Sequence, residues 1–336
     1  MATLVTGAAG FIGYHLARRL LEAGETVIGI DNLNPYYDPV LKRDRVAQLA
    51  DIDGDFDFRE IDFSEHEALE DALASISFDR IAHLGAQPGV RYSLTHPRAY
   101  VAANLAGHLN LLEMARARQV RHFVYASSSS VYGGTAKLPF RIGDPVDHPV
   151  SLYAATKKAD ELMSETYAHL YRVPATGLRF FTVYGPWGRP DMATWTFTRK
   201  VLAGEPIQVF NFGKMRRDFT YVDDIVDGMV AALDRPPADD GAAKPGGSCA
   251  PHAIYNLGNN RSEQLLDMIA VIERACGREA VMEMLPLQAG DVVDTFADIG
   301  ESRRDLGFEP KTGIETGLPI FVDWFREYCT RRPSMA

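Results

Sequence analysis

Cysteine is scarce in this chain: Cys249, Cys276 and Cys329 are the only three in 336 residues. They are odd in number and far apart, and no CxxC or Cys/His ligand spacing occurs. That excludes a disulfide framework and gives no reason to expect zinc or any other metal. It suits a reducing cytoplasm. No uninterrupted apolar run reaches the length of a membrane span, so no transmembrane helix is expected. The N-terminus, MATLVTGAAGFIGYHLARRL, is apolar but lacks a preceding basic segment. It reads as a folded strand and turn rather than a signal peptide. Positive charge is in deficit: 35 Lys and Arg against 45 Asp and Glu leave a formal net charge of −10. An acidic surface argues against nucleic acid and anionic membranes as partners, but a basic pocket inside it can still take an anionic small molecule.

What is present is alternation. Short apolar runs at 3–7, 26–31, 57–62, 80–85, 122–127 and 175–181 read as strands. Helical patterns separate them at 12–24, 66–75 and 104–119, with Gly24 placed to end the first. Strand–helix alternation at this pitch predicts right-handed βαβ units: an α/β, Rossmann-like, doubly wound parallel sheet. After about residue 182 the pattern changes. YGPWGRPDMATW reads as a loop, 195–206 as a helix ending at Gly204, and 207–235 as a strand pair followed by a helix. Residues 236–251 read as an exposed, mobile loop, and AIYNLGN as one more strand. A helix is expected over 262–277 with Ser262 as N-cap, and helical patterning resumes over 300–330. The expected division is a nucleotide-binding lobe over 1–182, with returns near 219–236 and 252–258. A smaller C-terminal α/β lobe for substrate takes 183–218 and 259–330.

VTGAAGFIG places Gly7, Gly10 and Gly13 after a strand and at the start of a helix. The first permits a tight turn, the second lets a pyrophosphate approach the backbone, and the third allows close helix–strand packing. Asp31 ends the second strand, where a carboxylate would bond both ribose hydroxyls of NAD and repel the extra phosphate of NADP. The cations of LKRDR (41–45) stand nearby in sequence. SLYAATKKAD puts Tyr153 and Lys157 at i and i+4 on one helix face. An ammonium beside a phenol favours the phenolate, a base able to take a sugar hydroxyl proton. Lys158 gains no role and reads as a solvated charge.

The glycine spacing, YAATK, SSSSVYG (127–133) and RRDFTYVDDI (216–225) together carry a resemblance. The chain resembles the extended short-chain dehydrogenase/reductase family over nearly its whole length. Within that family it is similar to the NAD-dependent nucleotide-sugar epimerases, and most of all to the UDP-glucuronate 4-epimerase subgroup. NPYYDPVLKRDR, GAQPGVRYSL, RFFTVYGPWGRPDMA and PLQAGDVVDTFADI match that subgroup in wording and order.

The resemblance implies an isomerase that inverts C4 of UDP-glucuronate to give UDP-galacturonate through a transient 4-keto sugar. It implies NAD as cofactor, a UDP-sugar substrate and a homodimer packed through the helices near 104–119 and 153–172. It gives Tyr153, Lys157 and Ser128 catalytic roles. It carries over Phe11, Ile12, Asn32, Asp62, Phe63, Leu84, Ala86, Gln87, Asn104, Ser127 and Phe180 as cofactor neighbours, beside the glycines and Asp31. Substrate contacts implied are Ser128, Ser129, Ser130, Thr182, Arg189, Arg217, Gln288 and Asp291. Ser129 and Ser130 either face the substrate or make local turn bonds. Arg189 either borders the sugar or is a solvated loop arginine. A 4-keto uronate is a β-keto acid and can lose CO₂. The serine run offers hydroxyl donors to the carboxylate and no acid for elimination. A neutral-sugar 4-epimerase on UDP-glucose or UDP-N-acetylglucosamine, a decarboxylase or dehydrogenase, and a non-catalytic NAD-binding protein remain as other readings.

Overall fold

A computed structural model describes residues 1–134, 137–288 and 292–335. Seven strands form the central sheet: β1 (Ala2–Thr6), β2 (Thr26–Asp31), β3 (Phe56–Glu60), β4 (Arg80–His83), β5 (His122–Ser128), β6 (Ala175–Phe180) and β7 (His252–Leu257). Their spatial order is β7-β6-β5-β4-β1-β2-β3, and every neighbouring pair is parallel. The doubly wound α/β expectation therefore holds. The order reverses between β1 and β4, so the crevice at their C-terminal ends is where such a sheet takes ligands.

Helices cover both faces: α1 (Phe11–Glu22), α2 (Pro39–Ala50), α3 (His66–Leu73), α4 (Gly107–Ala117) and α5 (Leu152–Tyr171), then α6 (Ala193–Ala203), α7 (Val222–Leu233), α8 (Leu265–Cys276) and α9 (Ile314–Arg331). Burial on both faces explains why the strands read as near-continuous apolar runs. The helix expected from 104 starts earlier, with one widened π-type turn over Val101–Ala106 leading into α4. Gly24 and Gly204 both adopt positive φ, as their helix-ending positions require. No helix among the described residues is long and apolar enough to cross a membrane.

Four expectations change. Helix α2 is an addition, capped by the Asp38 carboxylate accepting from Val40 N at 2.9 Å, with Pro39 at its first position. Residues 207–235 do not hold a strand pair. Ile207–Val209 pairs with Met282–Met284, Arg216–Arg217 with Glu263–Gln264, and Phe219–Tyr221 with Thr182–Tyr184. Buried Asp218 explains the split, because its carboxylate accepts from Asn259 N at 2.6 Å and Ala297 N at 3.1 Å. Ser262 is not a cap: its hydroxyl goes to Asp294 at 2.6 Å, and α8 begins at Leu265. The exposed 236–251 loop is tied to α5, through Asp239 to Arg172 and through Ser248 Oγ to Glu165 at 2.8 Å.

Candidate active site

The glycine turn shapes the first cavity. Gly7 has φ +68°, the left-handed region that a side chain disfavours. A Cβ at Gly13 would stand 2.0 Å from the Gly7 carbonyl oxygen, so only hydrogen lets α1 pack this close to the turn. Gly10 caps α1 without a side chain, which leaves the first-turn N–H groups open to the cavity. Asp31, at the tip of β2, accepts from Leu33 N at 2.8 Å. Lys42 on α2 reaches to 3.6 Å from the same carboxylate, and both side chains are buried. The cations near 41–45 thus come into the site through Lys42.

Most of the expected cofactor neighbours share this cavity: Gly7, Gly10, Phe11, Ile12, Gly13, Asp31, Asn32, Asp62, Phe63, Leu84, Ala86, Ser127, Phe180, and with them Ser128, Tyr153 and Lys157. Asp62 accepts from Asn32 at 2.8 Å and from Ser64 N at 2.9 Å, bonds that hold its carboxyl below the ordinary range despite its burial. Gln87 and Asn104 stand behind the wall. Asn104 Oδ1 accepts from Gln87 N at 2.7 Å and its amide donates to Thr156 on α5 at 3.0 Å. They brace the 84–88 segment against α5. The cavity also takes Asn34, Tyr36, Tyr37 and Met192, which sequence reasoning passed over, and Lys42, which it noted only as one of the nearby cations of 41–45. The Asp-Pro helix start at 38–39 is the signal that would have brought Lys42 forward.

Helix α5 is capped by Ser151, whose hydroxyl accepts from Ala154 N at 3.1 Å. Its first turn presents half-buried Tyr153, with the ring of Tyr100 6.1 Å away edge-on. Lys157 is buried one turn on. Burial opposes its charge, but Asp160, 2.9 Å away, outweighs that and raises its pKa. Lys158 is not free in solvent: it donates to Glu161 at 3.2 Å. Glu161 also receives Ser127 Oγ at 2.7 Å and a two-pronged Arg179 at 2.8 and 2.9 Å. Ser127 thus meets the cavity while its hydroxyl is committed to the core.

Ser128 ends β5 and caps the short turn Ser129–Tyr132. Its hydroxyl accepts from Ser130 N and donates to Ser130 Oγ, both at 3.1 Å. It lines the first cavity, while Ser129 and Ser130 open on a second. That second cavity also takes Thr182, Arg217, Ser151, Thr295 and Phe140. No carboxylate stands on its wall among the described residues. Arg217 donates to the carbonyls of Arg216 and Val293 at 2.9 and 3.0 Å. Arg189 falls elsewhere. It borders the first cavity, in a two-pronged pair with Asp191 at 3.0 and 2.8 Å, and is not a solvated loop arginine. Gln288 is partly exposed and is on the wall of neither cavity. Asp291 lies outside the described residues.

A glycine cradle at a helix start, a strand-end carboxylate and a Tyr–Lys helix on one cavity suit a dinucleotide. The model of the NAD dependent epimerase/dehydratase family matches residues 3–258. The chain belongs to this family. Among relatives, an uncharacterized 37.6 kDa protein of Escherichia coli O111:H- is 52% identical over 98% of this chain and 99% of its own length. A probable UDP-glucuronate 4-epimerase of Rhizobium meliloti is 44% identical over 97% of each chain. The crystal structure of UDP-glucuronic acid 4-epimerase from Bacillus cereus, in complex with UDP-glucuronic acid and NAD, matches with a TM-score of 0.87 at 32% identity. That match covers 98% of this chain and 100% of the other.

Proposed function

We propose that this member of the epimerase family is an NAD-dependent UDP-glucuronate 4-epimerase, producing UDP-galacturonate. The observation that carries the reading is the second cavity: Ser129, Ser130, Thr182 and Arg217 line it, and no acidic side chain does among the described residues. It adjoins the cofactor cavity at Ser128, whose hydroxyl bonds to Ser130. Hydroxyl donors suit a sugar carboxylate, and a guanidinium suits a diphosphate. The Rhizobium and Bacillus relatives bear the same activity in their names.

In this reading the glycine turn and the start of α1 hold the pyrophosphate of NAD, and Asp31 holds the adenosine ribose. NAD, when bound, supplies the hydride acceptor for C4. Tyr153 takes the 4′-hydroxyl proton and later returns it. Lys157 supports the phenolate, and Ser128 orients the hydroxyl. Arg217 anchors the nucleotide, so binding energy remote from C4 holds the substrate while the sugar turns over. Ser129, Ser130 and Thr182 hold the carboxylate, which restrains loss of CO₂ from the keto intermediate. Residues 183–218 and 259–330 form the nucleotide-sugar lobe against the NAD lobe.

The same reading makes the protein a cytoplasmic homodimer. Val101 and Leu109, at α4 and the turn before it, and Leu162 and Leu170 on α5 are exposed apolar residues that a second copy would cover. The deciding experiment gives purified protein UDP-glucuronate without added NAD and follows C4 inversion by NMR. UDP-galacturonate without net NADH or CO₂ is the expected product. Faster turnover of UDP-glucose would sink the carboxylate argument.

A further inference from the structure

Behind Tyr153 and Lys157 lies a carboxylate that none of these roles uses. Asp160 follows Lys157 by three positions on α5 and is fully buried. Its Oδ2 accepts from Lys157 Nζ at 2.9 Å, while its Oδ1 has no hydrogen-bond partner. Facing it at 4.0 Å is His108 Nδ1 from α4, which has no partner either. His108 Nε2 is held by Ser164 Oγ at 2.9 Å, which aims the ring at Asp160. Two unpaired buried polar atoms are costly. A shift of about 1 Å, to ordinary hydrogen-bond length, would join these two.

The ionisable groups around Asp160 come from six elements. On α5 they are Tyr153 and Glu161; from α4, His108; from β4, His83; from β5, Tyr125; from β6, Arg179; and from β7, His252. Glu161 and Arg179 satisfy each other. Burial drives His83 and His108 toward their neutral forms and keeps Tyr125 a phenol. His252 is engaged by Tyr125 and Glu165, at 2.9 and 2.8 Å. Burial pushes Asp160 up to about 6, while the Lys157 ammonium at 2.9 Å favours the carboxylate. What Tyr153 then meets in Lys157 is half of a tight dipole rather than a lone ammonium.

We infer that Asp160, backed by His108, is a charge-setting residue for the base: its carboxylate offsets the Lys157 ammonium and so weakens the pull of that ammonium on a Tyr153 phenolate. A lone cation within a few ångströms favours an anion by about one to three pKa units. An opposite charge 2.9 Å from that cation cancels much of its field at a third group. Asp160 acts through Lys157 and does not reach the reacting atoms, so it is a positioning residue. The inference rests on the reading of Tyr153 as the base.

The test is an ultraviolet titration of the tyrosinate in NAD-loaded protein, with Tyr153→Phe subtracted to isolate Tyr153. In Asp160→Asn the Tyr153 midpoint should fall by about one unit. In His108→Phe it should fall by less, because the carboxylate loses its backing but keeps Lys157. An unchanged or raised midpoint in Asp160→Asn overturns the inference. If that variant does not fold, an unchanged midpoint in His108→Phe overturns it instead. A fall in Asp160→Asn with none in His108→Phe removes His108 from it. The acid limb of kcat/KM on UDP-glucuronate should move with the midpoint. The absorbance needs no substrate, so a shifted midpoint in a protein inert toward UDP-glucuronate would retain Asp160's role and reject only the proposed substrate.

Discussion

Lys42 Nζ stands 3.6 Å from Asp31 Oδ1, with both side chains buried at the edge of the cofactor cavity. With Asp31 proposed to hold the ribose, the pair would make cofactor choice a balance between a carboxylate that repels a 2′-phosphate and a cation that attracts one. Asp31→Ala should weaken NAD binding about 10- to 100-fold, the scale of a hydrogen bond to a charged group. It should also narrow the preference over NADP, because Lys42 remains. Calorimetric titration with both nucleotides checks this. An unchanged NAD affinity would remove Asp31 from the ribose.

Tyr153→Phe removes the proposed base and leaves the cavity wall. The variant should still bind NAD and lose more than about a hundredfold in turnover. Rapid-quench or NMR rates on UDP-glucuronate, beside cofactor content, separate the two effects. Near-normal turnover would take Tyr153 out of the reaction.

Gly13→Ala places a methyl 2.0 Å from the Gly7 carbonyl oxygen, a backbone atom that cannot swing away. The turn and the start of α1 must separate. Loss of NAD binding and a lower thermal midpoint are expected, read by cofactor content and calorimetry. An alanine accepted without either effect would mean that the turn yields more freely than its geometry implies.

Acid should weaken the fold in two stages. Burial holds His15 at about 3 and His122 at about 4, against an ordinary 6.5. The unfolded chain therefore binds protons first, and stability falls as pH drops from about 6.5 toward 4. Arg179 holds Glu161 at about 2 against its burial, below an ordinary 4.5. Its contribution is full above about 4.5 and is lost as pH falls toward 2. Urea midpoints across this range test the sequence of events, and Glu161→Gln should flatten the lower stage. That variant leaves Arg179 buried without its charge partner, a loss of about 3–5 kcal/mol.

The parallel sheet and its glycine turn were legible because they are local: an apolar run, then Gly7, Gly10 and Gly13 at fixed spacing. The Tyr153–Lys157 face was legible for the same reason. Helix α2 was hidden because its buried face mixes Leu41 and Leu49 with the long polar side chains of Lys42 and Arg45, which leaves no continuous apolar stripe. Its Asp-Pro start was the only local sign. Arg189 could not be placed, because its position depends on Asp191 and on Tyr36, whose hydroxyl reaches Asp191 at 3.1 Å from far along the chain. Strand β7 was legible as AIYNLGN, but the pairing of the short strands over 207–221 defeated the reading because each joins a segment distant in sequence, an arrangement organised by buried Asp218. The Asp160–His108 contact was invisible for a similar reason: the two residues are 52 positions apart and meet only when α4 and α5 pack.

Strand β7, the last of the central sheet to be made, lies beside β6 at the outer border of the sheet. During synthesis β6 therefore emerges long before its neighbour, with one row of backbone N–H and C=O groups open. Aggregation is a hazard for such an unpaired edge. The nascent protein is thus most exposed to chaperones and to misassembly while residues 181–251 are being made, and a stop in that interval yields a sticky fragment rather than a free-standing nucleotide-binding module.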